Sequence, residues 1–293
     1  MTNALEELAK VFDNKIEMPL QQRLIGRKLI PRNDELSGKG IGNQSVETFS
    51  FSDISAAIID YTIPEKSYEG VDATSAAVQM AYLAKDYKIP RTLFESFKLK
   101  GQSIDADVAI TAAYKVAYAE DQLFLMGWAP DGTNYKIKGL YQSANQTEST
   151  SKDFGTYGNA KDKVGAAISL AEAVSVYGPY NIVLNPTQKN ELVVSESTTG
   201  KSEWDTIIRI LNENSNSNIG QIYSSPIITA GTGMLLPVQN SIYFDYVEAQ
   251  GPVNDIGQDS KSPKFSPIFG NVLEAIVPRI KYNGDQIIQF TNI

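Results

Sequence analysis

The sequence contains no histidine and no cysteine. Without histidine, Ser-His-Asp triads, imidazole general bases and histidine-ligated metals are excluded. Without cysteine, disulfides, thiolate nucleophiles, iron–sulfur clusters and cysteine-ligated zinc are excluded. No apolar run reaches the roughly 18 residues that a membrane-spanning helix needs, so no membrane partner is expected. Any catalysis would depend on carboxylate, Lys, Tyr, Ser or Thr side chains.

Positive charge is also in short supply. The chain carries 26 Lys and Arg against 34 Asp and Glu, a net charge of −8 over 293 residues. Such a chain repels phosphate backbones, so general nucleic-acid binding is not expected. Hydrophobic residues make up 42% and charged residues 20%, the balance of a folded globular chain. The N-terminus carries Glu6, Glu7 and Asp13 and does not resemble a secretory signal, which predicts a cytoplasmic location.

The first 92 residues are predicted to form extended arms. Residues 3–16 have helical spacing, with Leu5, Leu8 and Phe12 on one face. Residues 46–63 and 76–89 are strand-like and are separated by a turn at 64–70, which predicts an extended hairpin; a helix over 53–60 is the alternative. Arms that cannot bury their apolar surface within their own domain indicate a protein that assembles.

A long helix is predicted over residues 103–126. Ser103 is suited to the N-cap, acidic residues occupy the first turn, and Gly127 ends the helix. Beyond it, helices and short strands alternate, with Asn159, Asn185 and Ser202 as predicted caps. The predicted helices cover 159–177, 186–194 and 202–211, the predicted strands lie at 180–184, 222–223, 227–228, 233–238, 242–247, 272–280 and 286–291, and 251–270 is predicted to be a loop.

No group of residues has the spacing of an active site, and no enzyme activity is expected. Gly231-Thr232-Gly233 begins like a dinucleotide-binding fingerprint but leads into residues that do not start a helix. The candidate ligands for a calcium ion are Asp245, Glu248, Asp255 and Asp259, but their spacing does not fit the twelve-residue calcium-binding loop.

Two charged dipeptides are candidates for contacts between subunits. Arg27-Lys28 lies in the one local basic cluster, and Glu120-Asp121 lies near the end of the long helix. Adjacent helical residues diverge by about 100°, so the two carboxylates do not form a glycosidase-like pair, and an ion pair at an interface is favoured. A carboxylate-based hydrolase is the alternative of a different class.

Six stretches of the sequence, in order along the chain, carry a resemblance to a known family. They are Leu24 to Ile30, Leu93 to Leu99, Lys115 to Gly127, Gly139-Leu140, Gly178 to Asn185 and Ile256 to Asp259. These stretches resemble the encapsulins, the shell proteins of bacterial and archaeal nanocompartments, a family that is similar to tailed-phage capsid proteins of the Hong Kong 97 type. The run Lys115 to Gly127, which includes Ala119-Glu120-Asp121, is similar to the end of the family's long "spine" helix.

The resemblance implies an α+β, phage-capsid-like fold with an N-terminal arm, an extended hairpin loop, a peripheral domain with a long spine helix, and an axial domain. The implied bounds are 1–45 for the arm, 46–92 for the extended loop, 93–130 with 251–293 for the peripheral domain, and 131–250 for the axial domain. The implied function is a self-assembling icosahedral shell that encloses cargo protein. A virus or provirus capsid that encloses DNA is the alternative, and only then is nucleic acid a partner or the virion the location.

The resemblance also implies three sets of site residues. The fivefold pore would be lined by Ser195, Glu196, Ser197, Thr198, Thr199, Gly200 and Lys201. The cargo-peptide groove would be formed by Leu5, Leu8 and Phe12, and the subunit clasp by Arg27, Lys28, Glu120 and Asp121. Packing of this apolar stripe on the spine helix is the alternative to the groove. Expected partners are further copies of the chain and a cargo enzyme such as a ferritin-like protein or a peroxidase. The flavin-stacking tryptophan of some encapsulins has no match, so no cofactor and no metal are expected.

Overall fold

The computed structural model describes residues 24–51, 73–99, 107–194, 200, 202–213, 219–258, 267–281 and 284–293. The helices are α1 (Gly26–Leu29), α2 (Arg91–Leu99), α3 (Asp107–Leu125), α4 (Leu140–Ser143), α5 (Asn159–Ala173), α6 (Pro186–Val194) and α7 (Glu203–Leu211). The strands are β1 (Ser45–Phe51), β2 (Ala73–Gln79), β3 (Ala81–Ile89), β4 (Gly127–Trp128), β5 (Ile137–Lys138), β6 (Gln146–Glu148), β7 (Tyr180–Leu184), β8 (Ile222–Ser224), β9 (Thr232–Pro237), β10 (Phe244–Gln258), β11 (Ile268–Ile280) and β12 (Ile288–Thr291). None of the described helices is long and apolar enough to cross a membrane.

The predicted hairpin arm is confirmed at its base. β1 and β2 pair antiparallel from Ser45 opposite Gln79 to Phe51 opposite Ala73, and the predicted turn lies outside the described residues. The second strand-like stretch is not one strand. It divides at the buried Met80, whose backbone N–H donates to the carbonyl of Gln44. β3 then leaves the hairpin and joins a different sheet, so the extended loop ends earlier than residue 92.

That second sheet has the order β10-β11-β3, with antiparallel pairs throughout. The prediction of a loop from residue 251 is wrong in part, because β10 continues to Gln258. Pro252 is accommodated because the register shifts between Gln250 and Val253, where the ladder needs no donor from it. The two long strands therefore form a continuous ribbon.

The spine helix α3 packs across this sheet. It covers Asp107–Leu125, and the predicted cap Ser103 lies outside the described residues. Small side chains on its buried face, among them Ala109, Ala113 and Ala117, let the helix approach the strands closely. The helix ends as predicted at Gly127, which has a φ of +87° and would place a Cβ 2.4 Å from the carbonyl oxygen of Ile137.

The second half of the molecule is built on a five-stranded sheet with the order β6-β12-β9-β7-β8. β7 is buried at all five positions, as its largely apolar sequence predicts, and its one polar residue, Asn181, is buried with the others. β12 lies between β6 and β9, so the last residues belong to this sheet and not to the sheet of the spine helix. The predicted division at residue 250 is corrected on this point, because strand order follows long-range pairing and not chain position.

Two local predictions in this half are also corrected. Residues 227–228 form a turn instead of a strand, with the N–H of Ile228 donating to the carbonyl of Ser225. Asn159 does not cap α5: Gly158 occupies the cap with a φ of 94°, and Asn159 donates to the carbonyl of Asp153. The caps at Asn185 and Ser202 are confirmed, since each accepts a backbone N–H of the helix that follows.

Residues 24–40, which we call the N-terminal segment, run along the free edge of β10. The N–H of Tyr246 donates to the carbonyl of Pro31, and the N–H of Asn33 donates to the carbonyl of Tyr246. Further along, Gly38 donates to the carbonyl of Glu248. The segment therefore covers a strand edge that would otherwise expose unpaired backbone groups.

Candidate functional site

The N-terminal segment meets the spine helix and the long ribbon at a buried group of charges, which we call the Arg27 cluster. Its members are Arg27, Arg32, Glu120, Asp121, Glu248 and Glu274. The guanidinium of Arg27 lies 2.7 Å from Glu120 and 3.0 Å from Glu248 and also contacts Glu274. Arg32 adds a contact of 3.2 Å to Glu248. One arginine thus joins α1, α3, β10 and β11.

Asp121 holds the same junction by its backbone contacts. Its carboxylate accepts the N–H of Gly26 at 2.8 Å and the N–H of Ile25 at 3.3 Å. These are N–H groups at the start of α1, where a carboxylate is favoured. Gly26 is required at this point, because a Cβ there would lie 2.3 Å from a ring carbon of Phe124.

Burial raises the pKa values of three acids in this cluster. It raises the pKa of Asp121 to about 6, against the hydrogen bonds from Gly26 and Ile25. It raises the pKa of Glu120 to about 7, although Arg27 favours the ionised form. The pKa of Glu274 is also raised, by burial and by the negative charge of Glu120. The cluster therefore binds protons at a pH where ordinary carboxyls have lost them.

A second buried group of charges, the Arg279 cluster, ties the same segment to the same ribbon. Its members are Asn33, Asp245, Arg279 and Lys281. The carboxylate of Asp245 accepts two hydrogen bonds from Arg279, one of them at 2.7 Å, and one from Asn33 at 2.9 Å. Lys281 lies 3.2 Å away. Although burial opposes ionisation, the hydrogen bonds from Arg279 and Asn33 hold the pKa of Asp245 below its ordinary value.

The structure corrects the predicted subunit clasp. Arg27 and Glu120 form an ion pair within one chain, and Glu120 is fully buried, so it does not face a neighbouring subunit. Asp121 binds the backbone of the same chain. Lys28 is exposed, and its contact with a neighbouring subunit stays a prediction. Of the acidic dipeptide, Glu120 is ion-paired, but its partner Arg27 belongs to its own subunit, and Asp121 accepts backbone N–H groups instead.

Glu248 and Glu274 are the members of the cluster whose role sequence reasoning missed. Glu274 interrupts an otherwise apolar strand, from Val272 to Val277, and is fully buried. A lone acid in such a strand indicates a buried cationic partner, which is the signal that was available. Glu248 was considered as a calcium ligand with Asp245, but both bind arginines, and among the described residues no group of acids is arranged to hold a metal.

The predicted pore loop lies between α6 and α7, and only Gly200 of its seven residues is among those described. Of the two described flanks of this loop, the C-terminal one is held in place by hydrogen bonds. Glu203, the first residue of α7, is buried and accepts the N–H groups of Gly158 and Lys161 at the start of α5. On the other side, Val194 at the end of α6 is 77% exposed. The predicted groove residues Leu5, Leu8 and Phe12 lie outside the described residues.

Comparison with known proteins identifies the family of this chain. A family model described as "Encapsulating protein for peroxidase" matches residues 5–246. The chain belongs to the encapsulin family. It is therefore a shell protein that self-assembles into a closed particle, and the predicted function is confirmed at that level.

Relatives of this encapsulin agree with the assignment. A "Diheme-cytochrome-encapsulin shell fusion protein" from Kuenenia stuttgartiensis is 25% identical over 272 residues, which cover 91% of this chain and 70% of the relative. A virus-like particle from Pyrococcus furiosus has a TM-score of 0.68 at 16% identity, with 97% of this chain and 99% of that chain covered. The capsid of Myoviridae phage XM1 has a TM-score of 0.62 at 13% identity, with 92% of each chain covered. The predicted phage-capsid-like fold is confirmed.

Proposed function

We propose that the shell formed by this encapsulin encloses a redox enzyme as cargo, with a peroxidase as the first candidate and a ferritin-like protein as the second. The match of residues 5–246 to the family described as encapsulating a peroxidase carries the proposal. The relative that combines a shell with a diheme cytochrome supports redox cargo in general. The subunit itself has only a structural role in this proposal, and the shell resides in the cytoplasm.

Electron microscopy of the protein expressed alone, after size exclusion, tests the assembly. Uniform closed particles are expected, since the family assembles shells. Mass spectrometry of particles purified from the native host then identifies the contents. A co-purifying peroxidase or ferritin-like protein supports the proposal, whereas nuclease-protected DNA as the only content overturns it in favour of the capsid alternative.

The apolar face of the N-terminal arm is proposed to hold the cargo peptide. Leu5, Leu8 and Phe12 share one face at helical spacing, and an apolar stripe of this kind suits a peptide that docks in a groove. Phe12→Asp is expected to abolish cargo loading in shells that still assemble. Asn14→Asp is the matched control, because it places the same carboxylate on the opposite side of the predicted helix. Equal loading by both variants contradicts the groove.

The loop at residues 195–201 is proposed to line a pore. Small polar residues in it suit a water-filled opening, and the buried Glu203 fixes the chain directly after it. Lengthening the loop by two glycines after Thr198 is expected to change the rate at which a small charged dye enters preformed shells. The same insertion beside Gly132, in an exposed turn, is the control. An unchanged entry rate in the loop variant argues against the pore.

A further inference from the structure

The Arg27 cluster has more acidic than basic members. Four carboxyls, Glu120, Asp121, Glu248 and Glu274, stand against two guanidinium groups, so full ionisation would leave a charge of 2 − 4 = −2. None of the four carboxyl residues is more than 7% exposed. Water therefore does little to solvate the excess, and an uncompensated buried charge costs several kcal/mol, so roughly one or two protons stay in the cluster.

Glu120 and Glu274 are the pair that shares such a proton. Both are completely buried, and both contact the guanidinium of Arg27 from different elements. When Glu274 is ionised, its Oε2 atom is buried without a hydrogen-bond partner among the described groups. A side-chain hydrogen bond between Glu120 and Glu274 needs a proton on one of the two carboxyls, and that proton removes one negative charge.

The other groups around Glu120 and Glu274 do not neutralise the excess negative charge. α1 contributes Arg27 and the exposed Lys28, the rest of the N-terminal segment contributes Arg32, α3 contributes Asp121, and β10 contributes Tyr246 and Glu248. β3 places the uncharged Leu83 opposite Glu274, and Lys138 of β5 is exposed. The sequence of β2 contains no charged residue.

We propose that Glu120 and Glu274 form a proton-dependent latch that holds the N-terminal segment on the spine helix and releases it as the solution becomes alkaline. Arg27 is the part of the latch that moves, because it is the group by which α1 reaches both carboxyls. Loss of the shared proton leaves two buried carboxylates opposed to one guanidinium. Withdrawal of the segment from the ribbon then admits water to both.

The sign of the effect follows from the direction of the pKa shifts. A carboxyl whose pKa is higher in the folded state contributes stability below its unfolded pKa, and that contribution is lost as the pH rises through the folded pKa. For Glu120 the loss begins near the ordinary pKa of a glutamate and is complete above about pH 7, and for Glu274 it extends well above the ordinary range of a glutamate. The chain contains no histidine, so the acids of the cluster, which include Asp121 with a pKa of about 6, titrate near neutral pH without an imidazole beside them.

Hydrogen exchange on assembled shells tests the latch. Peptides that cover residues 24–40 are expected to lose protection as the pH is raised from about 5 to about 9, by up to roughly tenfold per pH unit for each proton released, after correction for intrinsic exchange. Glu274→Gln keeps the shape and cannot ionise, so its protection should depend less steeply on pH, although Glu120 and Asp121 still titrate. Asp162→Asn, which removes an exposed carboxyl paired with Lys152, is the control and should behave like the wild type.

Equal pH dependence in Glu274→Gln and the wild type would overturn the proposal, as would wild-type protection that is constant over this range. If the variant does not assemble, infrared spectra of wild-type shells decide the matter. A protonated-carboxyl band at about pH 7 that disappears by about pH 9 supports the latch. The absence of that band at neutral pH shows that all the carboxyls are already ionised and overturns it.

Discussion

The Arg27 cluster and the Arg279 cluster attach the same N-terminal segment to the same ribbon with opposite charge balance. In the first, carboxyls outnumber guanidinium groups, and burial raises the pKa values of Glu120, Asp121 and Glu274. In the second, the one carboxylate of Asp245 is shared by Arg279, Asn33 and Lys281, and its pKa is lowered. The number of cationic and hydrogen-bonding partners per acid, and not burial alone, decides the direction of the shift.

The difference makes the two clusters fail at opposite ends of the pH scale. The Arg27 cluster weakens as its protons leave on the alkaline side, and the Arg279 cluster weakens as Asp245 gains a proton on the acidic side. Between these limits both hold. The segment is therefore held most firmly at slightly acidic to neutral pH, and each cluster can be altered separately.

The largest expected effect comes from removing the buried arginine of the Arg279 cluster. Arg279→Met leaves Asp245 buried without its bidentate partner, which should lower the free energy of unfolding by about 3–5 kcal/mol. Denaturation of assembled shells at a fixed subunit concentration measures it. Lys281→Met is the matched control: this side chain is 27% exposed, and the loss should stay below about 1 kcal/mol. Similar losses for both variants would contradict the assigned roles.

The second-largest effect is expected from moving α1 away from its partners in the Arg27 cluster. Gly26→Ala places a methyl group against Phe124, and such overpacking should cost about 1–3 kcal/mol. It should also weaken the contact between Arg27 and Glu120, because the whole turn must shift. Gly42→Ala is the control, since a Cβ at that glycine meets no atom within 4 Å. Thermal unfolding of the two variants side by side measures the difference.

Replacement of Asp245 tests the loss of stability at acidic pH that the comparison assigns to the Arg279 cluster. In the wild type, stability from this carboxylate is present above its unfolded pKa and lost as the pH falls through the lower folded pKa. Asp245→Asn should remove that acid limb, whose slope is at most about 1.4 kcal/mol per pH unit, while the alkaline limb remains. Unfolding measured from about pH 2 to pH 6 checks it. An acid limb that survives in the variant assigns the limb to another carboxyl.

The smallest effect is expected for the neutral member of the Arg279 cluster. Asn33→Ala removes one hydrogen bond to Asp245 and one to the N–H of Leu36, which should cost about 1 kcal/mol for each. Asn145→Ala removes a bond between exposed side chains, to Asp285, and should have almost no effect. Urea denaturation of both variants checks the ordering, and a larger loss in Asn145→Ala would contradict it.

Sequence reasoning succeeded where the signal is local. The spine helix ends at Gly127 because the turn needs a positive φ, and β7 is recognisable from its largely apolar residues. The caps at Asn185 and Ser202 also follow from neighbouring residues. The order of stretches that resemble the encapsulins was sufficient for the family and the fold.

The site was harder to predict because its partners are far apart in sequence. Arg27 and Glu274 are 247 residues apart, so no local pattern shows that they meet. The basic and acidic dipeptides were therefore assigned to a contact with a second subunit, although Arg27 and Glu120 pair with each other in the same chain. The extension of β10 through Pro252 was missed because it depends on a register shift that only the pairing with β11 shows.

The position of β12 has a consequence for the synthesis of the protein. Its neighbours β6 and β9 are synthesised well before it. They cannot be joined into one sheet until residues 288–291, which lie between them, leave the ribosome. The β10-β11-β3 sheet can close once Ile280 has emerged. A growing chain therefore carries a finished spine region beside an incomplete sheet, which delays particle growth on polysomes until translation has passed Thr291.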